Sequence, residues 1–350
     1  MTNKEKKNNN TNKKSVSNKY LVIGIIVSIA IVGVAVISYP YFVPSNANLE
    51  SSSDKSNILG DWHDIHGVGL FNTDGSADDN NSIYLATHNG LYHKNQNSSW
   101  VKIGTDKSDL MGFVINPKKE GVMYSSGHPV NGGNLGFRMS TDSGKTWQTI
   151  SSVTDSPIDF HAMSISPVNN YILYGSPGGG YPLLITKDEG KTWSAITTIP
   201  SQIVSIAADP LNSNGVYIGT GSGIFYSNDQ GNNWKKIESE LIDNSVVTGL
   251  GFNQNNELFA YILPKTEEGS NNNQNGYIIK SDGTVKNWTK INGQIPNVKA
   301  VWKFALGQNG EMYTIVNQQM SQNDIASSVY KSTDNGNTWI LEGTNRENIL

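Results

Sequence analysis

Six histidines and no cysteine limit the chemistry open to this chain. Without Cys there is no thiolate metal site, no Cys nucleophile and no disulfide. The histidines fall in one stretch: His63, His66, His88, His93, His128 and His161. Three short apolar runs in that stretch share a register, namely Asp64-Ile65-His66-Gly67, Asp109-Leu110-Met111-Gly112 and Asp159-Phe160-His161-Ala162. Alternate residues of a strand point the same way, so each Asp is expected beside its His or Met. Neutral imidazole suits Cu, Zn, Ni and Fe, a thioether favours Cu(I), and nearby carboxylates orient imidazole ligands. His66, His88, His128 and His161 are accordingly candidate donors to a transition metal, Cu or Zn. The same region also fits acid–base chemistry, with Asp64, Asp109 and Asp159 as candidate catalytic carboxylates and a His at hand. A third reading needs no ligand: repeats of common descent share residues for packing, and a His or Asp at a strand start satisfies backbone groups. The sequence leaves all three open.

The elements that must position these residues recur from Ile58 onward. Each unit opens with a short apolar strand, continues with a strand bearing an aromatic (Tyr84, Tyr124, Tyr174, Tyr217, Phe259, Tyr313), and closes with a third strand, a turn and a Trp. The closing residues are Trp100, Trp147, Trp193, Trp234, Trp288 and Trp339, spaced by 47, 46, 41, 54 and 51 residues. Four short strands in about 45 residues is the pattern of a β-propeller blade, and no helical period competes with it. The reading is all-β: a six-bladed β-propeller over residues 58–350. In such a disc the loops joining strands 2 and 3, and those joining blades, share one face. His63, His66, His88, His128 and His161, with Met111, then lie on one rim over blades 1–3, and His93 does not.

The turn before the Trp carries the sharpest motif. Residues 140–147 read STDSGKTW, 186–193 TKDEGKTW, 227–234 SNDQGNNW and 332–339 STDNGNTW. The fixed positions are Asp142, Gly144 and Trp147; Asp188, Gly190 and Trp193; Asp229, Gly231 and Trp234; Asp334, Gly336 and Trp339. Blade 5 has a degenerate copy with Asp282 and Gly283 moved one place. The Asp is expected to accept bonds from backbone N–H groups two and three residues on, with Gly supplying positive φ and the Trp packing between sheets. These residues resemble the Asp-box, or BNR, repeats of sialidase-like propellers, the sortilin ectodomain and photosystem II assembly propellers. In kind the chain is similar to prokaryotic BNR-repeat proteins described as glycosylhydrolase-like. The resemblance covers about residues 60–342 and implies that the Asp-boxes are structural and lie opposite the ligand face.

Sialidases bind an acidic sugar through three arginines, whose fork suits a carboxylate. This chain has two in all, Arg138 and Arg346. The expectation is that it is not an exo-sialidase. Hydrolysis of a neutral glycan stays open, since it needs only two suitably spaced carboxyl groups.

Residues 1–49 carry six Lys and one Glu, so of the total charge of −4 the rest of the chain carries −9. An acidic globular part argues against nucleic acid as partner. From Tyr20 to Tyr39 there are twenty residues without charge, enough to span a hydrocarbon core of about 30 Å. The Lys-rich residues 1–19 are expected in the cytoplasm, residues 20–43 as one N-terminal transmembrane helix, a signal anchor, and 44–57 as a flexible tether. A secretory signal usually has a shorter apolar run. Weaker signals are the acidic loop 72–80, the low-complexity insertion 267–275, the turn at Gly219–Gly223, and sequons at Asn80, Asn97 and Asn287. The expectation is a single-pass cell-membrane protein with an extracytoplasmic propeller. It acts as a binding or assembly module for a glycan or protein partner through the rim of blades 1–3, or alternatively as a neutral-glycan hydrolase.

Overall fold

The computed structural model describes residues 59–71, 82–94, 99–265, 275–296, 298, 300–307, 309–321 and 324–346. All belong to the unit Leu49–Leu350. The expected tail 1–19, span 20–43 and tether 44–57 lie outside the described residues. So do the loop 72–80, nearly all of the insertion 267–275, and the sequons at Asn80 and Asn97. Among the described residues no helix is long and apolar enough to cross a membrane.

The described residues form six four-stranded antiparallel sheets, each a meander in chain order. The first strands of the blades are Ile65–Phe71, Asp109–Ile115, Phe160–Ile165, Ile203–Ala208, Ser245–Phe252 and Phe304–Leu306. Each packs on the first strands of its two neighbours, and the first and sixth also meet, so the ring closes around a central channel. Second strands are covered on both faces by adjoining sheets. Val216–Thr220 is buried at every position, which is why such stretches read as continuous apolar runs.

Each closing Trp packs backward onto the preceding blade. Trp193 of blade 3 meets Phe137 of blade 2 edge-on, with ring centroids 5.2 Å apart. Trp147, Trp234, Trp288 and Trp339 join the cores they share with blades 1, 3, 4 and 5. Trp100 of blade 1 packs with Tyr313, Ile315 and Val329 of blade 6. Trp62, outside the repeat, reinforces that seam with its ring 5.2 Å from Trp100. Leu59 forms a parallel bridge with Thr344, the Gly60 N–H donates to Thr344 O at 2.9 Å, and Lys94 pairs with Glu342 at 2.9 Å.

The Asp-box turns differ from the expected bonding in one respect. Asp188 accepts the backbone N–H of Thr192, four residues on, at 2.9 Å, together with the hydroxyls of Thr192 and Thr186. The hydroxyl two residues before the Asp takes the glycine: Thr186 Oγ1 accepts from Gly190 N at 2.9 Å. Asp142, Asp229 and Asp334 repeat the arrangement. The loop is wider than a β-turn because the residue after each Asp also takes positive φ (Ser143, Glu189, Gln230, Asn335), which carries the chain round before it returns to the carboxylate. The blade 5 copy still works: Asp282 accepts from Lys286 N and from the side chains of Thr284 and Asn287.

Candidate functional site

Asp-x-(His or Met)-small marks a β-bulge. The pairing of first and second strands skips one residue between Ile65 and Gly67, Leu110 and Gly112, Ile203 and Ser205, and Val247 and Gly249. In blade 3 Ser176 pairs with Ala162 and Pro177 with Phe160. The skipped residues are His66, Met111, Val204, Thr248 and His161. A bulge re-aims the side chain of its extra residue and interrupts regular pairing. The residue before each is buried in the interblade core (Ile65, Leu110, Phe160, Ile203, Val247), which pins the register and turns the bulged side chain away from that core.

In blades 1 and 2 this geometry brings four side chains together. His66 Nε2 lies 3.4 Å from Asp64 Oδ2 and 3.1 Å from Asp109 Oδ1. His88 Nδ1 lies 3.7 Å from Asp64 Oδ1 and 2.9 Å from Asp109 Oδ2. Asp109 crosses from blade 2, and Gly127 makes room: its φ is +151°, and a Cβ there would collide with the Asp109 carbonyl. The ring of the exposed His63 stands 6.1 Å from that of His88.

A second group sits one blade on. His128 Nε2 and His161 Nε2 share Asp159 Oδ2 at 3.1 and 2.8 Å. His128 Nδ1 donates to Gly133 O at 2.9 Å, and a Cβ on Gly178 would stand 3.0 Å from His161 Nε2. The four histidines thus do not form one donor set: two meet on Asp64 and Asp109, two on Asp159. A carboxylate stands between each pair, because each Asp precedes its bulge by two residues and points to the same rim. Met111 is partly buried beside them, and no contact places its sulfur in either group. His93 stacks on Tyr84, with ring centroids 5.9 Å apart, in the blade.

The two groups feel each other's charge. Burial works against protonating His66, but the contact with Asp109 and the charges of Asp64, Asp109 and Asp159 outweigh it, so its pKa is raised. Burial pushes Asp109 up, but His66, then His88 and His128, hold its carboxyl below the usual range. Opposite them is a cation that the sequence reading missed. Lys303 of blade 6 donates to His161 O at 3.2 Å, and burial pushes its amine down to about 8. Aligning Val301-Trp302-Lys303 with Ile65-His66-Gly67 could have found it, since five blades carry a small residue at that place.

Arg138 is not at the rim. It is buried against Asp106 at 2.7 Å with its guanidinium over Trp147. Its strand, Phe137–Ser140, is the third of its blade, with two strands between it and the channel.

The fold and its turns define an Asp-box β-propeller. The family model described as Sortilin, neurotensin receptor 3 matches residues 181–340, a stretch that excludes all six histidines and so bears on the scaffold. The chain is a propeller of the Asp-box, or BNR-repeat, superfamily. Among solved structures it is similar to the Niastella koreensis GH74 enzyme (TM-score 0.56, 20% identity, 82% of this chain, 46% of that one). It is also similar to the GH74 xyloglucanase from Xanthomonas campestris (0.54, 15%, 82% and 46%). A chain from a nidogen/laminin complex aligns at a TM-score of 0.52 with 11% identity over 76% of this chain and 89% of that one. These likenesses show the fold alone, and the chain spans less than half the length of the GH74 enzymes it matches. No curated protein matches the sequence.

Proposed function

We propose that the protein is a binding module, anchored in the membrane by residues 20–43, that engages a glycan or protein partner outside the cell through the rim of blades 1–3. The observation that supports this is the content of the bulge positions. Blades 1 and 3 place His there and blade 2 Met, each two residues after an Asp, whereas blades 4 and 5 place Val204 and Thr248 at the same point. Imidazoles and carboxylates concentrated on one half of an otherwise equivalent ring are poorly explained by packing, which every blade needs alike. Imidazole and carboxylate together also suit a transition metal such as Cu or Zn, so the contact with the partner is proposed to be metal-dependent. The hydrolase alternative needs one carboxyl group with a raised pKa as general acid. Asp109, the carboxylate reached by both His66 and His88, is shifted the other way.

The test is binding of the detergent-solubilised full chain to an array of neutral glycans and to cross-linked surface proteins of its own host. A ligand lost in His66→Ala/His161→Ala and kept in Val204→Ala supports the rim. A ligand kept by the double variant overturns it, and release of reducing ends from a neutral glycan would favour the hydrolase.

A further inference from the structure

Asp64, His66, His88 and Asp109 form a closed set in which each imidazole nitrogen faces both carboxylates. The four N···O separations are 3.4, 3.1, 3.7 and 2.9 Å. Each nitrogen meets a different oxygen of each carboxylate, so the four contacts involve four oxygens, of which one ion would take one from Asp64 and one from Asp109. One donor atom each of Asp64, His66 and His88 lies within 4.8 Å of the other two; Asp109 stands outside that trio and adds the second carboxylate, at 3.1 and 2.9 Å from the two nitrogens.

One contact in this set is not a well-angled hydrogen bond. His66 Nε2 and Asp109 Oδ1 are buried and face each other at 3.1 Å, yet neither atom has a partner at a hydrogen-bonding angle. Buried polar atoms left this way are costly, and a cation between them satisfies both. Charge points the same way, since two carboxylates converge on the two imidazoles.

Resting on the reading of the rim as the ligand surface, we infer that Asp64, His66, His88 and Asp109 hold one divalent transition-metal ion, Zn²⁺ by the chemistry of the donors, across the boundary of blades 1 and 2. Ca²⁺ and Mg²⁺ take all-oxygen shells of six or more ligands, and half of these donors are nitrogen. Cu(I) prefers sulfur, and no sulfur is among the four. His128 and His161 stand outside the set: they converge on a single oxygen of Asp159, which leaves no tetrahedron of donors there. The ion joins two blades and presents its outer side to the channel mouth, where His88 is more than half exposed.

The test uses the full chain in detergent, stripped with EDTA and titrated with ZnCl₂ at pH 7.5, with metal content measured after dialysis. One Zn per chain is expected. Asp109→Asn, nearly the same shape, should weaken binding at least tenfold and abolish the Zn-induced rise in melting temperature. His161→Gln should keep both, and circular dichroism reports whether each variant is folded. Zn uptake by wild type no greater than by folded Asp109→Asn overturns the inference, as does loss of Zn in His161→Gln. The rim reading fails separately: Zn bound at one per chain while His66→Ala/His161→Ala leaves partner binding unchanged would sink that reading and leave the metal site standing.

Discussion

Lys303 Nζ donates to the backbone carbonyl of His161 at 3.2 Å, from blade 6 to blade 3 on the opposite side of the channel. No carboxylate among the described residues lies within ion-pair distance of this amine. Its pKa is pushed down to about 8 by burial. The unfolded chain holds the lysine proton up to about 10.4, so the folded chain loses it first and stability rises with pH from about 8 to 10.4. Lys303→Met should therefore stabilise the protein at pH 7 by about 1–2 kcal/mol, discounted because part of the side chain stays open to the channel. It should also remove that rise. Chemical unfolding at pH 7, 8.5 and 10 checks both; a destabilised variant would mean that the contact with His161 outweighs the burial of charge.

The Asp-boxes should matter to stability alone. Asp188→Ala removes three accepted hydrogen bonds and should cost about 1–3 kcal/mol. Metal or partner affinity at the rim should stay within twofold in the folded variant. A large affinity loss at an unchanged melting temperature would reassign the box to the ligand face.

Acid should weaken the same turns. The Thr192 side chain and N–H hold Asp188 down to about 2, and Asn233 does the same for Asp229. Their folded pKa values lie below the unfolded value of about 3.9. The stability they contribute is present above about pH 4 and is lost as pH falls toward 2. Urea midpoints for wild type and Asp188→Asn should converge between pH 4 and 2; parallel curves would show that the depressed carboxyl does not contribute.

The protein should not cleave sialosides. Arg138 is committed to Asp106 and Trp147, and Arg346, the other arginine, follows the last strand, Ile340–Thr344. Turnover of a fluorogenic sialoside, abolished by a rim substitution, would refute this.

The proposed anchor predicts its own topology. Protease added to intact cells should digest the propeller and spare a tag placed before Lys4. The reverse pattern would invert the orientation.

Blade number and register were legible because they are written in residues that repeat. Six Trp counted the blades, and Asp-x-(His or Met)-small marked the rim three times. The bulge was not legible: an extra residue is defined by the partner strand it fails to pair with. Nor was the exchange of partners across blades. His66 meets Asp109 from 43 residues away, and His161 meets Lys303 from 142. Strand-start positions (His66, His161) and the ends of second strands (His88, His128) placed the four histidines on one rim. Which carboxylate stood between which pair depended on contacts made across blade boundaries, and local sequence does not encode those.

The seam between blades 1 and 6 rests on tryptophan packing, one ion pair and the bridge from Leu59 to Thr344, with every blade built from contiguous chain. A ring closed without a shared strand is indifferent to where its polypeptide is cut. Residues 59 and 344 are already neighbours, so a short linker there would permit circular permutation at any other blade boundary. A permutant opened between blades 3 and 4 would keep both histidine groups on one uninterrupted run of chain.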